Sequence, residues 1–210
     1  MDFSKILNQV LSVAQESAKN AMNGNTTTDK VAKIGGGAAA IGILSMIFGR
    51  NGGSGLAKLG SLAAIGSLAY QAYQKYQQNQ TQAAPVSEEN FAVTEQNAQA
   101  SSQVILQAMI AAAASDGAIS EQEKQAILGE AGQDPELHQW IEQEMYQPAS
   151  VQQIAAKVGN NPALAAQVYL AARVVCADLA RKEIVFLADL AEALGLDDAL
   201  VEQLEQQAGF

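Results

Sequence analysis

The 210-residue sequence is poor in the residues from which most catalytic and metal sites are built: it has one cysteine, Cys176, and one histidine, His138. A single cysteine excludes an intramolecular disulfide framework and a cysteine-rich zinc site. A Cys176–His138 nucleophile pair is arithmetically available. Cys176, however, sits in the apolar run Val174-Val175-Cys176-Ala177, where a small buried thiol is usually inert core. No Gly-x-Ser-x-Gly elbow and no P-loop occurs, and the glycines near the front follow no strand, so they make no dinucleotide fingerprint. Charged residues are only 16% of the chain, against ~25% in a typical soluble domain, while apolar types reach 49%. That apolar content argues against a wholly disordered acidic chain. Met1 is followed by Asp2 and an amphipathic stretch, with no signal-peptide pattern.

The net charge of −10 conceals a division. Residues 1–84 carry seven Lys/Arg and three acids, whereas residues 85–210 carry five Lys/Arg and nineteen acids. The acidic half repels phosphate backbones, which excludes nucleic acid as its partner. Between the halves, the polar run from Gln77 to Pro85 reads as a linker over residues 77–86.

In the basic half, Phe3, Ile6, Leu7, Val10, Leu11, Ala14, Ala18 and Met22 fall on one helical stripe within residues 1–24. Such a helix lies either on a membrane or on the rest of its own chain, and its amphipathicity does not choose. Two uncharged runs follow, Ile34–Gly49 between Lys33 and Arg50, and Leu59–Gln74 between Lys58 and Lys75. Each would span ~24 Å as a helix, slightly short for a bilayer core, which needs about 20 residues. Flanking cations can snorkel and extend that reach. Asn51-Gly52-Gly53-Ser54-Gly55 between them is a strong turn signal. Small residues recur along both runs (Gly35, Ala39 and Gly42; Gly60, Ala63, Ala64 and Ser67), as in closely packed membrane helices. Tyr70, Tyr73 and Tyr76 stand where an interfacial belt would sit. The expectation is a Gly-rich transmembrane-type helical hairpin over residues 32–76. Its flanking cations weakly place both ends in the cytoplasm.

Residues 87–210 carry helix signals throughout. Ser120 with Glu123 and Ser150 with Gln153 are capping boxes; Asn161-Pro162 opens a helix, Gly159 and Gly195 close helices, and Asp197 or Asp198 starts the last. An internal repeat is present. Asp116, Glu121, Ala126, Leu128, Glu130 and Ala131 recur 62 residues later as Asp178, Glu183, Ala188, Leu190, Glu192 and Ala193.

Residues 111–123 (AAAASDGAISEQE), with Ala177-Asp178, Glu183 and Leu194-Gly195-Leu196, resemble the tellurite-resistance TerB-like domain. The preceding Gly-rich runs resemble its bacterial inner-membrane branch, a family of unknown function. The resemblance implies an all-α fold with about seven helices in residues 87–210, a membrane setting and no established enzyme activity. It also implies a divalent-metal cation held by Asp116, Glu121, Asp178 and Glu183. Asp178-Leu179 departs from the Asp-Gly common in the family, which weakens a symmetric second half-site. Read from the residues alone, Asp116 and Glu121 serve turn and helix-start amides, and Asp178 and Glu183 pair with Arg173, Arg181 or Lys182. The function expected is a membrane-anchored interaction or sensing module at the bacterial inner membrane. Its acidic domain would face the cytoplasm and bind a protein partner. Two alternatives stay open: a metal-dependent cytoplasmic enzyme, and a structural protein forming homo-oligomers through the Gly-rich hairpin.

Overall fold

The computed structural model describes residues 2–22, 61–79, 86–92, 94, 97–115, 117, 119, 135–176 and 179–210. The first uncharged run, the glycine-rich turn after it and the Ser120–Glu123 capping box lie outside these residues.

Among the described residues the chain is all-α, with no strand. Its helices are α1 (Phe3–Met22), α2 (Leu62–Asn79), α3 (Ala98–Ser115), α4 (Pro135–Tyr146), α5 (Val151–Val158), α6 (Pro162–Val175), α7 (Arg181–Ala193) and α8 (Asp198–Ala208), with a 3-10 turn at Glu88–Asn90 before α3. Local chemistry sets several of the ends. Ser150 Oγ accepts the Gln153 amide (3.2 Å) and Gln153 Oε1 accepts the Ser150 amide (2.9 Å), so the capping box read from the sequence forms. Asn161 Oδ1 accepts the Leu164 amide (3.0 Å) with Pro162 in the first turn of α6. Asp197 caps α8 through the Leu200 amide (2.8 Å). Ser87 caps no α-helix, because the chain makes only the 3-10 turn there.

The central pair is α3 and α6. Twelve of the 14 residues of α6 are buried, and α3 buries its whole run from Val104 to Ala113, so neither helix has a solvent face there. Alanines on both helices (Ala108, Ala112, Ala165 and Ala172) let them come close. Truncating a fully buried residue of this pair, such as Ile110→Ala, costs about 2–5 kcal/mol. α1 and α4 pack on α3, α2 on α8 and α6, α5 on α3 and α7, and α8 on α6.

α1 resolves one open reading. Ile6, Leu7, Val10 and Leu11 are buried, so this part of the stripe packs on the protein itself and not on a membrane. Its start is tied to α3 twice: Gln99 Oε1 accepts the Phe3 amide and Gln99 Nε2 donates to Asp2 Oδ1, both at 2.9 Å. The Lys5 amide and the Gln99 side chain hold the Asp2 carboxyl below its ordinary range.

The expected membrane hairpin requires correction. Its second run forms α2, a helix of the bundle, and no helix among the described residues is long and apolar enough to cross a membrane. The physical reason is that an uncharged run is not necessarily an apolar one. Leu62, Ile65, Ala69, Ala72 and Tyr73 point inward, while Ser67, Gln71, Gln74 and Lys75 are exposed. Lipid would leave the serine and glutamines without water. Gly66 belongs to this packing, since a Cβ there would lie 2.5 Å from the Phe91 carbonyl oxygen. The tyrosines form no interfacial belt. Tyr70 and Tyr73 pack against Phe91 (5.5 and 5.8 Å between ring centres), and the Tyr76 hydroxyl donates to Asp197 Oδ2 at the start of α8.

The first copy of the repeated residues, from Asp116 to Ala131, lies outside the described residues, but the elements that flank it recur. α3 and α4 correspond to α6 and α8 at offsets close to 62 residues. Gly117, in the turn after α3, has φ +78°; Leu179, its counterpart 62 residues on, has φ +49°. The same left-handed step is made once by glycine and once by leucine. The pairs that join central to final helix are similar, with Gln107 and Tyr169 at the offset of 62 and Glu144 and Glu205 one residue short of it. Gln107 Nε2 on α3 donates to Glu144 Oε1 on α4, and the Tyr169 hydroxyl on α6 donates to Glu205 Oε1 on α8 (2.9 Å).

Candidate functional site

Of the four carboxylates expected to hold a cation, Glu183 alone lies in the described residues; Asp116, Glu121 and Asp178 lie outside them. Glu183 is buried, and its Oε2 accepts the Ala180 amide at 2.8 Å. It therefore serves the start of α7, a capping role that the sequence reading assigns to Asp116 and Glu121 and not to Glu183. No group of three or more His, Cys, Asp or Glu that could hold a metal ion occurs among the described residues. Cys176 is fully buried at the end of α6, and its carbonyl accepts Arg173 Nη1 at 3.0 Å. His138 lies partly exposed on α4, with Nε2 3.9 Å from Glu142 Oε2. The two residues thus have separate surroundings, one internal and one near solvent. Trp140, two residues on, packs edge-on against Phe3 of α1 at 5.0 Å.

Three features were not legible as a site from the sequence. The first is a groove of about 650 Å³ between α7 and α8. Leu179, Ile184, Leu187, Ala191, Leu196 and Val201 supply its apolar walls. Tyr169, Glu192, Asp198 and Glu205 supply its polar groups. α7 and α8 both rest on α6, and the groove opens between them. Its lip is unusually apolar for a surface: Leu179 is 39% exposed and Ile184 50%; Val185, next to Ile184 on α7 and outside the lining, is 54% exposed. Leu179 also holds its left-handed backbone there, which costs a side chain with a Cβ roughly 1–2 kcal/mol.

The second is the charged wall of that groove. Arg173 is buried on α6, and its Nε meets Glu205 Oε1 at 2.9 Å, the same oxygen that accepts the Tyr169 hydroxyl. The guanidinium also stacks 4.0 Å over the Phe210 ring. A buried guanidinium needs this much partnership, because burying an unanswered charge is costly. Burial, and then the Glu205 charge, push the Tyr169 phenol well above the usual range. Tyr169 therefore remains a neutral donor that fixes the carboxylate. An arginine inside the apolar run from Leu170 to Cys176 is the sequence signal for this pair, although its partner comes from another helix.

The third is a buried polar chain in the first unit. Lys157 Nζ donates to Gln107 Oε1 (2.6 Å), Gln107 donates to Glu144 Oε1, and Glu144 Oε2 has no hydrogen-bond partner. It ties α5 and α4 to α3 and opens onto no described cavity.

No curated protein and no solved structure matches this sequence. A family model does match, over residues 33–208, which takes in the second uncharged run, the repeat and the groove. The chain belongs to that family, described as Protein of unknown function (DUF533).

Proposed function

We propose that this protein is a non-catalytic interaction module of TerB-like type, and that the α7–α8 groove is its binding surface. One observation carries the reading: apolar side chains stand open along the groove while one of them, Leu179, holds a backbone conformation that glycine would adopt without strain. Strain of this kind persists where it serves a purpose, and an exposed apolar lip serves binding. The protein partner sits on the acidic half of the chain, and nucleic acid is disfavoured by that charge.

Attachment to the bacterial inner membrane, with the acidic half in the cytoplasm, is part of the same proposal. It rests on the first uncharged run, Ile34–Gly49, and its flanking Lys33 and Arg50, because the second run is used within the bundle. Recovery in the membrane pellet after a carbonate wash supports the attachment; recovery in the supernatant overturns it.

The binding reading is tested by co-purification of the full-length chain and its Val185→Glu variant after mild cross-linking. A protein recovered with the parent and lost with the variant is the expected result. Identical recovery with both, in a variant that unfolds at the parent's temperature, overturns it.

A further inference from the structure

The walls of the α7–α8 groove limit what can occupy it. The apolar stretch from Ile184 and Leu187 to Val201 lies between two helices, a shape that accepts the apolar face of a third. Charge along it is uneven. Glu205 is answered by Arg173, so it adds little net field. Glu192 and Asp198 flank the short turn that joins α7 to α8, and no Lys or Arg is found among the described lining residues. Arg181 and Lys182 lie exposed at the opposite end of α7, on its first turn. One end of the groove therefore attracts cations and the other repels them. The same groove of a second copy would bring its own Glu192 and Asp198 against these two, so charge disfavours a symmetric pairing through this face.

We infer that the groove takes an amphipathic α-helix of another protein, with its lysines or arginines gathered at the end that lies over Glu192 and Asp198. The inference rests on the groove being the binding surface and names its partner's chemistry. Apolar anchors at i, i+3, i+4 and i+7 cover the walls; the cations set direction and speed of encounter.

The probe is a fluorescent helical peptide with leucines at that spacing and a lysine cluster at one end, measured by anisotropy against the full-length protein in mild detergent. A second peptide carries glutamates in place of the lysines. The lysine peptide is expected to bind about tenfold more tightly than the glutamate peptide, a difference that shrinks with added salt. Glu192→Lys is expected to reverse the preference, and Glu192→Gln to reduce it to near unity. Both are exposed surface changes, and unfolding curves check that each variant is folded.

Equal binding of the two peptides, no binding of either, or a preference untouched by Glu192→Lys would overturn the inference. The groove reading fails separately. If co-purification depends on Val185 while the lysine peptide does not bind, the groove stands as a binding surface and the basic helix falls. If the protein recovered with the parent and lost with Val185→Glu is a second copy of this chain, the basic partner helix is likewise overturned.

Discussion

The two repeated units tie a central helix to a final helix with the same device and finish it differently. In the first, Gln107 donates to Glu144, and the nearby cation, Lys157, reaches the glutamine and not the carboxyl group; Glu144 Oε2 is left alone. In the second, Tyr169 donates to Glu205, and Arg173 meets the same oxygen directly. Counted back by the repeat, Arg173 stands where the first unit has Ala111. The turns differ in the same direction, with relaxed Gly117 in one and strained, exposed Leu179 in the other. The second unit thus carries a firmly held charged wall and an apolar lip, and the groove lies on it. The divergence between the two units falls where the groove lies.

The strongest way to break the comparison is Arg173→Ala. It leaves Glu205 without its cation and the Cys176 carbonyl without its donor, so a loss of about 3–5 kcal/mol is expected in urea unfolding. The double change Gln107→Leu with Glu144→Met in the first unit removes both partners together and is expected to cost less than about 1.5 kcal/mol. Similar losses for the two would erase the distinction.

Exchanging the turn residues sharpens it. Gly117→Leu is expected to destabilise by roughly 1–2 kcal/mol, because it imposes on the first turn the strain already present in the second. Leu179→Gly relieves that strain but frees the unfolded chain, so its stability is expected to change by less than about 1 kcal/mol. Its partner recovery is expected to fall all the same. A Leu179→Gly protein with lower stability and full recovery would contradict the role given to this residue.

Glu183→Ala addresses the cation alternative. A lost helix start costs about 0.5–2 kcal/mol, equally with and without Mg²⁺, Ca²⁺, Mn²⁺ or Zn²⁺. A thermal shift of the parent with one of these ions that vanishes in the variant would return Glu183 to a ligand set.

The smallest effect concerns pH. The hydrogen bond to Asp197 raises Tyr76 from its ordinary 10 to about 12. A raised pKa means that the folded state holds the proton more tightly, so this contribution is complete below pH 10 and is lost as pH rises toward 12. Tyr76→Phe is expected to flatten part of the alkaline fall in unfolding midpoint; an unchanged slope would remove the link between α2 and α8 from the account.

What could be read without coordinates was local. The Ser150–Gln153 box, the Asn161-Pro162 start, the Asp197 cap and the glycine ends each depend on a few neighbouring residues. The destination of α2 was not legible, because lack of charge is shared by a bilayer helix and a bundle helix. The decisive difference was which face held Ser67, Gln71 and Gln74. Arg173 could be recognised as needing an acid, but the acids near it in sequence were the wrong ones, since Glu205 approaches from α8. The groove depends on how two helices rest on a third, and no short sequence motif encodes that.

The most direct measurement places a photo-crosslinking residue at exposed Val185, next to the groove-lining Ile184, and separately at exposed Gln139 on α4 of the first unit, in the full-length protein inside cells. A discrete adduct with another protein from position 185, and none from position 139, is the predicted result. Equal adducts from both positions, or none from 185 while the protein is folded and present, would contradict a binding surface confined to the second unit.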